Sequence, residues 1–171
     1  AVFRSTPMLV QLSIIYFGLF HYITLPRTLL FGFIAVNRFI PGVVAMSLNS
    51  AAYVAEIIRG GIMGVDKGQM EAGRSLGMSY VTTMKDIILP QAMKSALPAL
   101  INEMITLLKE TSICGYIGLN ELARGGDIIR GITFDALFPL FTVALIYLVM
   151  VLFIQWIMGK VERRLRSSDY R

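Results

Sequence analysis

The clearest pattern along the chain is where charge is absent. No charged residue occurs from Ser5 to Pro26, from Phe39 to Ala55, or from Ala136 to Gly159. A helix crossing the hydrocarbon core of a bilayer needs about 20 mostly apolar residues to cover about 30 Å. The last gap, ALFPLFTVALIYLVMVLFIQWIMG, is long enough to cross alone. The second extends in character through Ile57 and Ile58. A fourth stretch, Pro98 to Ile117, is apolar but interrupted by Glu103, Lys109 and Glu110. The pattern predicts four spans, over 7–25, 38–60, 96–115 and 135–159.

Residues 64–95 break it. They carry Asp66, Lys67, Glu71, Arg74, Lys85, Asp86 and Lys94 and form a polar loop between the second and third spans. A loop of about 30 residues is too long for a turn and usually carries function. Its local signals are legible. Asp66 followed by Gln69 resembles a capping box that starts a helix near Lys67. Gly77 suits the position just past a helix end. Ser79 can cap a second helix from Tyr80, ending near Pro90 because the residue before proline avoids the α region. A solvated hairpin linking two spans and a docking element for another protein both fit this pattern.

Lysine and arginine near span ends set orientation. The central loop, with Arg59 before it, the tail with Lys160, Arg163, Arg164, Arg166 and Arg171, and Arg4 before the first span all fall on one side. That side is expected to be cytoplasmic. The other side carries Arg27, Arg38, Glu121, Arg124, Asp127, Arg130 and Asp135 and is near neutral. Its ARGGDIIRG stretch reads as a turn with a short amphipathic helix, or as a gate or docking surface for a binding protein.

Composition agrees. The chain is 56% hydrophobic and 16% charged, with a mean hydropathy of +0.67. Soluble domains average about 45–50% apolar and about 25% charged. Disorder is excluded, and the single cysteine, Cys114, excludes a disulfide scaffold. The net charge of +5 is spread along an apolar chain, so a nucleic-acid partner is not expected. One histidine, His21, and one distant cysteine supply neither a metal set nor a nucleophile with its base, which disfavours a membrane enzyme. No phosphate-binding G-x-x-x-x-G-K-[ST] occurs. Trp156, ahead of Lys160 and Arg163, reads as an interface anchor. Pro41, Pro98 and Pro139 sit near the expected span starts.

Polar groups inside spans are costly and are functional candidates by default. Glu103, Thr106 and Glu110 share one helical face by their spacing, flanked by Asn102, Lys109 and Thr111. Asn49, Tyr53 and Glu56 make a second face, and Gln11 stands well within the first apolar run. Structural alternatives stand beside each: Glu56 pairing with Arg59, Lys109 and Glu110 solvated at an interface, Asn49 bonding a neighbouring helix.

Glu71-Ala72-Gly73, three residues, Gly77, nine residues, Ile87, one residue and Leu89-Pro90 resemble the EAA motif of ABC importer permeases. SLNSAAYVAEIIRGGI (47–62), IILPQA (87–92) and LLKETS (107–112) resemble the polar amino-acid branch of that family. The resemblance covers nearly the whole chain. It implies an all-α, polytopic membrane helical bundle of the type I, MetI-like class, with about four spans of a five-span core in a single domain truncated at its N-terminus. It implies a bacterial cell-membrane permease subunit for amino-acid uptake, with the 64–95 loop as the cytoplasmic coupling element. The implied partners are a cytoplasmic ATPase dimer, a second permease subunit, identical or paralogous, an extracytoplasmic amino-acid-binding protein and the lipid bilayer. No cofactor is expected in this chain, ATP and Mg being bound by the ATPase. Glu71, Ala72, Gly73, Gly77, Leu89 and Pro90 would couple to the ATPase. Gln11, Asn49, Tyr53, Asn102, Glu103, Thr106, Lys109, Glu110 and Thr111 would line the pathway, with an acid for the substrate ammonium and Lys109 for its carboxylate. Two departures from the family pattern stand out: Gly73 in place of the motif's second alanine, and Glu110 in place of aspartate. An assembly subunit without its own pathway is the alternative.

Overall fold

The computed structural model describes residues 2–23 and 25–166. The chain divides into two compact units, Ala1–Ala52 with Ile105–Ile154, and Tyr53–Met104 with Gln155–Arg171.

In the first unit, helix α1 (Met8–Ser13) runs on into a wider π turn, Ile14–Leu19. A two-stranded antiparallel hairpin follows, β1 (Leu29–Leu30) on β2 (Ile34–Ala35), with Leu29 opposite Ala35. β2 leads straight into α2 (Val36–Met63). The core gathers Met8, Leu12 and Ile15 of α1 and its π turn, Ala45 of α2, and Cys114 and Ile117 of a 3-10 segment, Thr111–Ile117. Small residues bring the backbones close: a side chain at Gly42 would meet Cys114 Sγ at 3.4 Å. Close approach through small residues is how helices pack in lipid, where burial of apolar surface drives little. Helix α6 (Leu122–Thr133) starts where Glu121 accepts the amides of Ala123 and Arg124, at 2.7 and 2.6 Å. It packs on helix α7 (Phe138–Arg166) through Gly126, where a Cβ would lie 2.5 Å from Val143 Cγ2.

The second unit holds the end of α2, α3 (Lys67–Ser75), α4 (Tyr80–Thr83), a π segment (Met84–Ile88) and most of α5 (Leu89–Glu110). Gly61 sets α2 against α5: a Cβ there would fall 2.8 Å from the Ala92 carbonyl and 3.1 Å from Ala96 Cβ. Lys160 Nζ lies 3.4 Å from the Trp156 ring centroid, a cation–π contact suited to the interface position read from the sequence.

Among the described residues, two helices are long and apolar enough to cross a membrane, Val36–Met63 and Phe138–Arg163. They contain the expected second span and most of the fourth. The fourth starts at Phe138 rather than 135 because Asp135 Oδ1 accepts the amides of Leu137 and Phe138 and caps the helix. Among the described residues, the expected first span, 7–25, is helical over Met8–Leu19. The third begins earlier than expected, at Leu89, and its helix closes at Glu110 in the 3-10 turn.

The expectation that α4 ends near Pro90 is corrected. The chain stays helical through the proline, and Leu89 N–H bonds Met84 O, five residues back. Proline lacks a donor and crowds the carbonyl four residues earlier. The π turn widens the helix just upstream and accommodates both effects. The proline positions are corrected likewise. Pro139 is the second residue of α7, but Pro41 and Pro98 lie inside α2 and α5.

Candidate functional site

The 64–95 loop is built from local signals. Asp66 caps α3 by accepting Gly68 N–H at 2.6 Å. Gln69 does not close the expected capping box: its Oε1 accepts from Gln91 Nε2 at 3.3 Å, linking α3 to α5. The far end of α3 is a Schellman closure. Gly77 has φ +83°, its N–H bonds Arg74 O at 3.0 Å, and Met78 N–H bonds Gly73 O at 3.1 Å. Ser79 then caps α4, its hydroxyl accepting Thr82 N–H at 3.1 Å. A short helix closed at both ends is held rigid without a large core of its own.

Glu71 and Ala72 stand exposed on α3. Gly73 is buried. A Cβ there would lie 2.6 Å from Thr83 Cγ2 and 3.0 Å from Thr83 Oγ1. Thr83 is fully buried, and its hydroxyl donates to Ser79 O at 2.9 Å. Gly73 therefore lets α3 close on α4, which accounts for the departure from alanine. In the sequence, Thr83 carries a single signal, its position four residues after the Ser79 cap. Leu89 is half-buried and Pro90 exposed. An apolar cavity of about 200 Å³, lined by Met63, Met70, Met84 and Ile88, lies beneath α3.

The Gly73 contact gives a test. Gly73→Ala gains up to about 1 kcal/mol of helix propensity but forces a stiff, buried threonine to move, an overpacking cost of about 1–3 kcal/mol. We expect the single variant to lose thermal stability. Thr83→Ser, which removes the opposing methyl, restores it in the double variant, as read by thermal denaturation of the detergent-solubilised complex.

The pathway candidates separate. Gln11 and Asn49 are buried, at 6% and 4% exposure, and satisfy each other: Asn49 Nδ2 donates to Gln11 Oε1 at 3.0 Å. Gln11 Nε2 donates to Phe3 O, Thr6 O and Thr6 Oγ1 at 2.6, 2.9 and 2.7 Å. Their hydrogen bonds tie α1 and the segment before it to α2. Tyr53 is exposed, and Glu56 lies 3.8 Å from Arg59 in a solvent-exposed pair of the kind worth little. On α5, Asn102, Thr106 and Lys109 are exposed while Glu103 and Glu110 are half-buried. Thr111 turns its hydroxyl back to Leu108 O at 2.7 Å.

A second polar cluster gathers around Glu121. Glu121 also accepts from the Tyr147 hydroxyl at 3.4 Å, and Arg124 Nη1 donates to Gly115 O at 3.1 Å. Arg38 Nη1 donates to Gly118 O at 2.7 Å, 80 residues away in sequence. By sequence these were simply charges at span ends. Short range gives no sign that they fasten α2, α6 and α7 around the 3-10 turn.

Two helices of membrane-crossing length, a polar loop capped at both ends of α3 and a run of polar residues on α5 fit a membrane subunit. Comparison with known proteins agrees. Residues 1–167 match the family described as "binding-protein-dependent transport system inner membrane component". The chain belongs to that family. It is 48% identical over 169 residues to an arginine transport system permease protein of Bacillus subtilis, covering 99% of this chain and 73% of that protein. It is 38% identical over 165 residues to a glutamine transport system permease protein of Escherichia coli, covering 96% and 72%. Among solved structures, an amino acid ABC transporter with histidines aligns with a TM-score of 0.83 at 46% identity, over 95% of this chain and 72% of that one. A methionine ABC transporter shares the fold, with a TM-score of 0.74 at 21% identity over 96% and 71%. The fold is that of a type I ABC importer permease. The chain is a non-catalytic transport subunit, and ATP hydrolysis resides on a separate one.

Proposed function

We propose that this chain forms the translocation pathway for a polar amino acid in an ATP-driven uptake system. The observation that carries the coupling role is α3 itself. It is capped at both ends, backed by Thr83, and holds Glu71 and Ala72 outward. Such a helix can transmit a push without deforming. The relatives named for arginine and glutamine transport support an amino-acid substrate. The partners in this reading are an ATPase dimer carrying ATP and Mg, a second permease half and an extracytoplasmic binding protein. The chain crosses the bacterial cell membrane as one permease domain, with the 64–95 loop and C-terminus in the cytoplasm. Asn102, Glu103, Thr106, Lys109 and Glu110 on α5 offer both signs of charge to a zwitterion. Gln11 and Asn49 hold helices together.

The test is reconstitution of the assembled complex in vesicles. Loaded binding protein should stimulate ATP hydrolysis, and hydrolysis should drive amino-acid uptake. Stimulated hydrolysis without uptake would favour the assembly-subunit reading, and uptake by the chain without an ATPase would defeat the proposal.

A further inference from the structure

A cavity of about 390 Å³ opens in the first unit where α1 ends and α2 begins. Its walls are of two kinds. Tyr16, Phe17 and Phe20 supply aromatic rings, and His21, Arg27 and Asn37 supply polar groups. Arg27 is exposed and pairs with no acidic side chain among the described residues. Between Ala1 and Ala55 the charged residues are Arg4, Arg27 and Arg38. The ends of apolar helices lie at headgroup depth, where aromatic rings and long basic side chains concentrate.

The β1–β2 hairpin emerges between Arg27 and Asn37. Its turn is closed by Phe33 N–H on Leu30 O at 3.3 Å, with φ +52° at Phe31 and +80° at Gly32. A bulky aromatic at positive φ is strained, and such strain persists where function uses it. Here it holds Phe31 79% and Phe33 68% exposed, beside an exposed Leu29. Water gives nothing back for that arrangement, whereas acyl chains do.

We propose that this cavity binds a phospholipid with an anionic headgroup. Arg27 takes the phosphate by charge-assisted hydrogen bonds, His21 and Asn37 add donors, and the acyl chains lie along Phe17, Phe20 and the hairpin. A small carboxylate solute would use Arg27 equally but would leave the strained apolar hairpin without a role.

The test uses the assembled transporter in phosphatidylcholine nanodiscs doped with phosphatidylglycerol bearing a photoreactive acyl chain, with adducts mapped by peptide mass spectrometry. Labelling is expected within residues 16–37, displaced by excess phosphatidylglycerol and not by inorganic phosphate or free amino acid. Arg27→Gln should lower it about tenfold, the scale of one charge-assisted hydrogen bond. Arg59→Gln, on the distant end of α2, should not. Phe31→Asn, at ease in the left-handed region, should lower labelling while raising thermal stability in detergent. Equal labelling by photoreactive phosphatidylcholine, displacement by inorganic phosphate, or adducts confined to peptides outside residues 16–37 would overturn the proposal. If Arg27→Gln fails to assemble, undiminished labelling of both His21→Gln and Phe31→Asn overturns it.

Discussion

Glu71→Lys should leave the permease folded in the membrane but unable to retain its ATPase, and uptake should fall to background. The magnitudes separate the two effects. Within α3 the new lysine would sit four residues after Lys67 and three before Arg74. Like charges at those spacings cost about 0.2–0.5 kcal/mol each. The caps at Asp66 and Gly77 do not involve residue 71 and keep the helix formed. At an interface, reversing a charge that meets a basic partner leaves that partner unpaired and repelled, a loss of about 2–5 kcal/mol. Assembly therefore moves and the fold does not. Co-purification of the ATPase with tagged permease reads the first, and size-exclusion behaviour of the permease reads the second. Glu71→Gln, which loses attraction without adding repulsion, should fall between. Normal transport by Glu71→Lys would remove the coupling role from α3.

How much was legible in the sequence divides along range. Signals acting within a few residues were read correctly: the Asp66 and Ser79 caps, the Gly77 closure and the amphipathic α6. Each is a property of one short segment. The charge-free run at 136–159 was sufficient too, because a bilayer filters on apolar length alone. Errors arose where one local rule met another. Pro90 signals a helix end, but a π turn upstream removes the conflict, and nothing in MKDII announces it. Partners distant in sequence leave no local signal. Gly73 against Thr83, Arg38 on Gly118 and Glu121 with Tyr147 are contacts that no spacing rule carries. Polar residues in a span attracted a functional reading by default, and packing decides between that and structure.

Gln11→Leu decides it for the first span. Leucine has nearly the volume of glutamine, so the variant leaves little cavity and removes chiefly hydrogen bonds. Phe3 O and Thr6 O lose the Gln11 donor, and Asn49 Nδ2, deprived of Gln11 Oε1, keeps only a long contact to Phe3 O at 3.4 Å. Phe3 and Thr6 are exposed and can turn to water, whereas Asn49 is buried; a buried group that loses its partner costs about 1–3 kcal/mol, so we expect a loss of about 2 kcal/mol and a fall in Tm of roughly 6 °C. The double variant Gln11→Leu/Asn49→Leu should recover part of that loss, because removing both partners costs less than orphaning one. Surviving double-variant complexes should retain the amino-acid selectivity of the parent. A substrate ligand would behave in the opposite way. Its loss would leave Tm unchanged, alter the KM or selectivity of uptake, and gain nothing from the second substitution. That outcome would return Gln11 and Asn49 to the pathway. Thermal denaturation and uptake, measured on the same three preparations, therefore separate a polar clamp between α1 and α2 from a binding site.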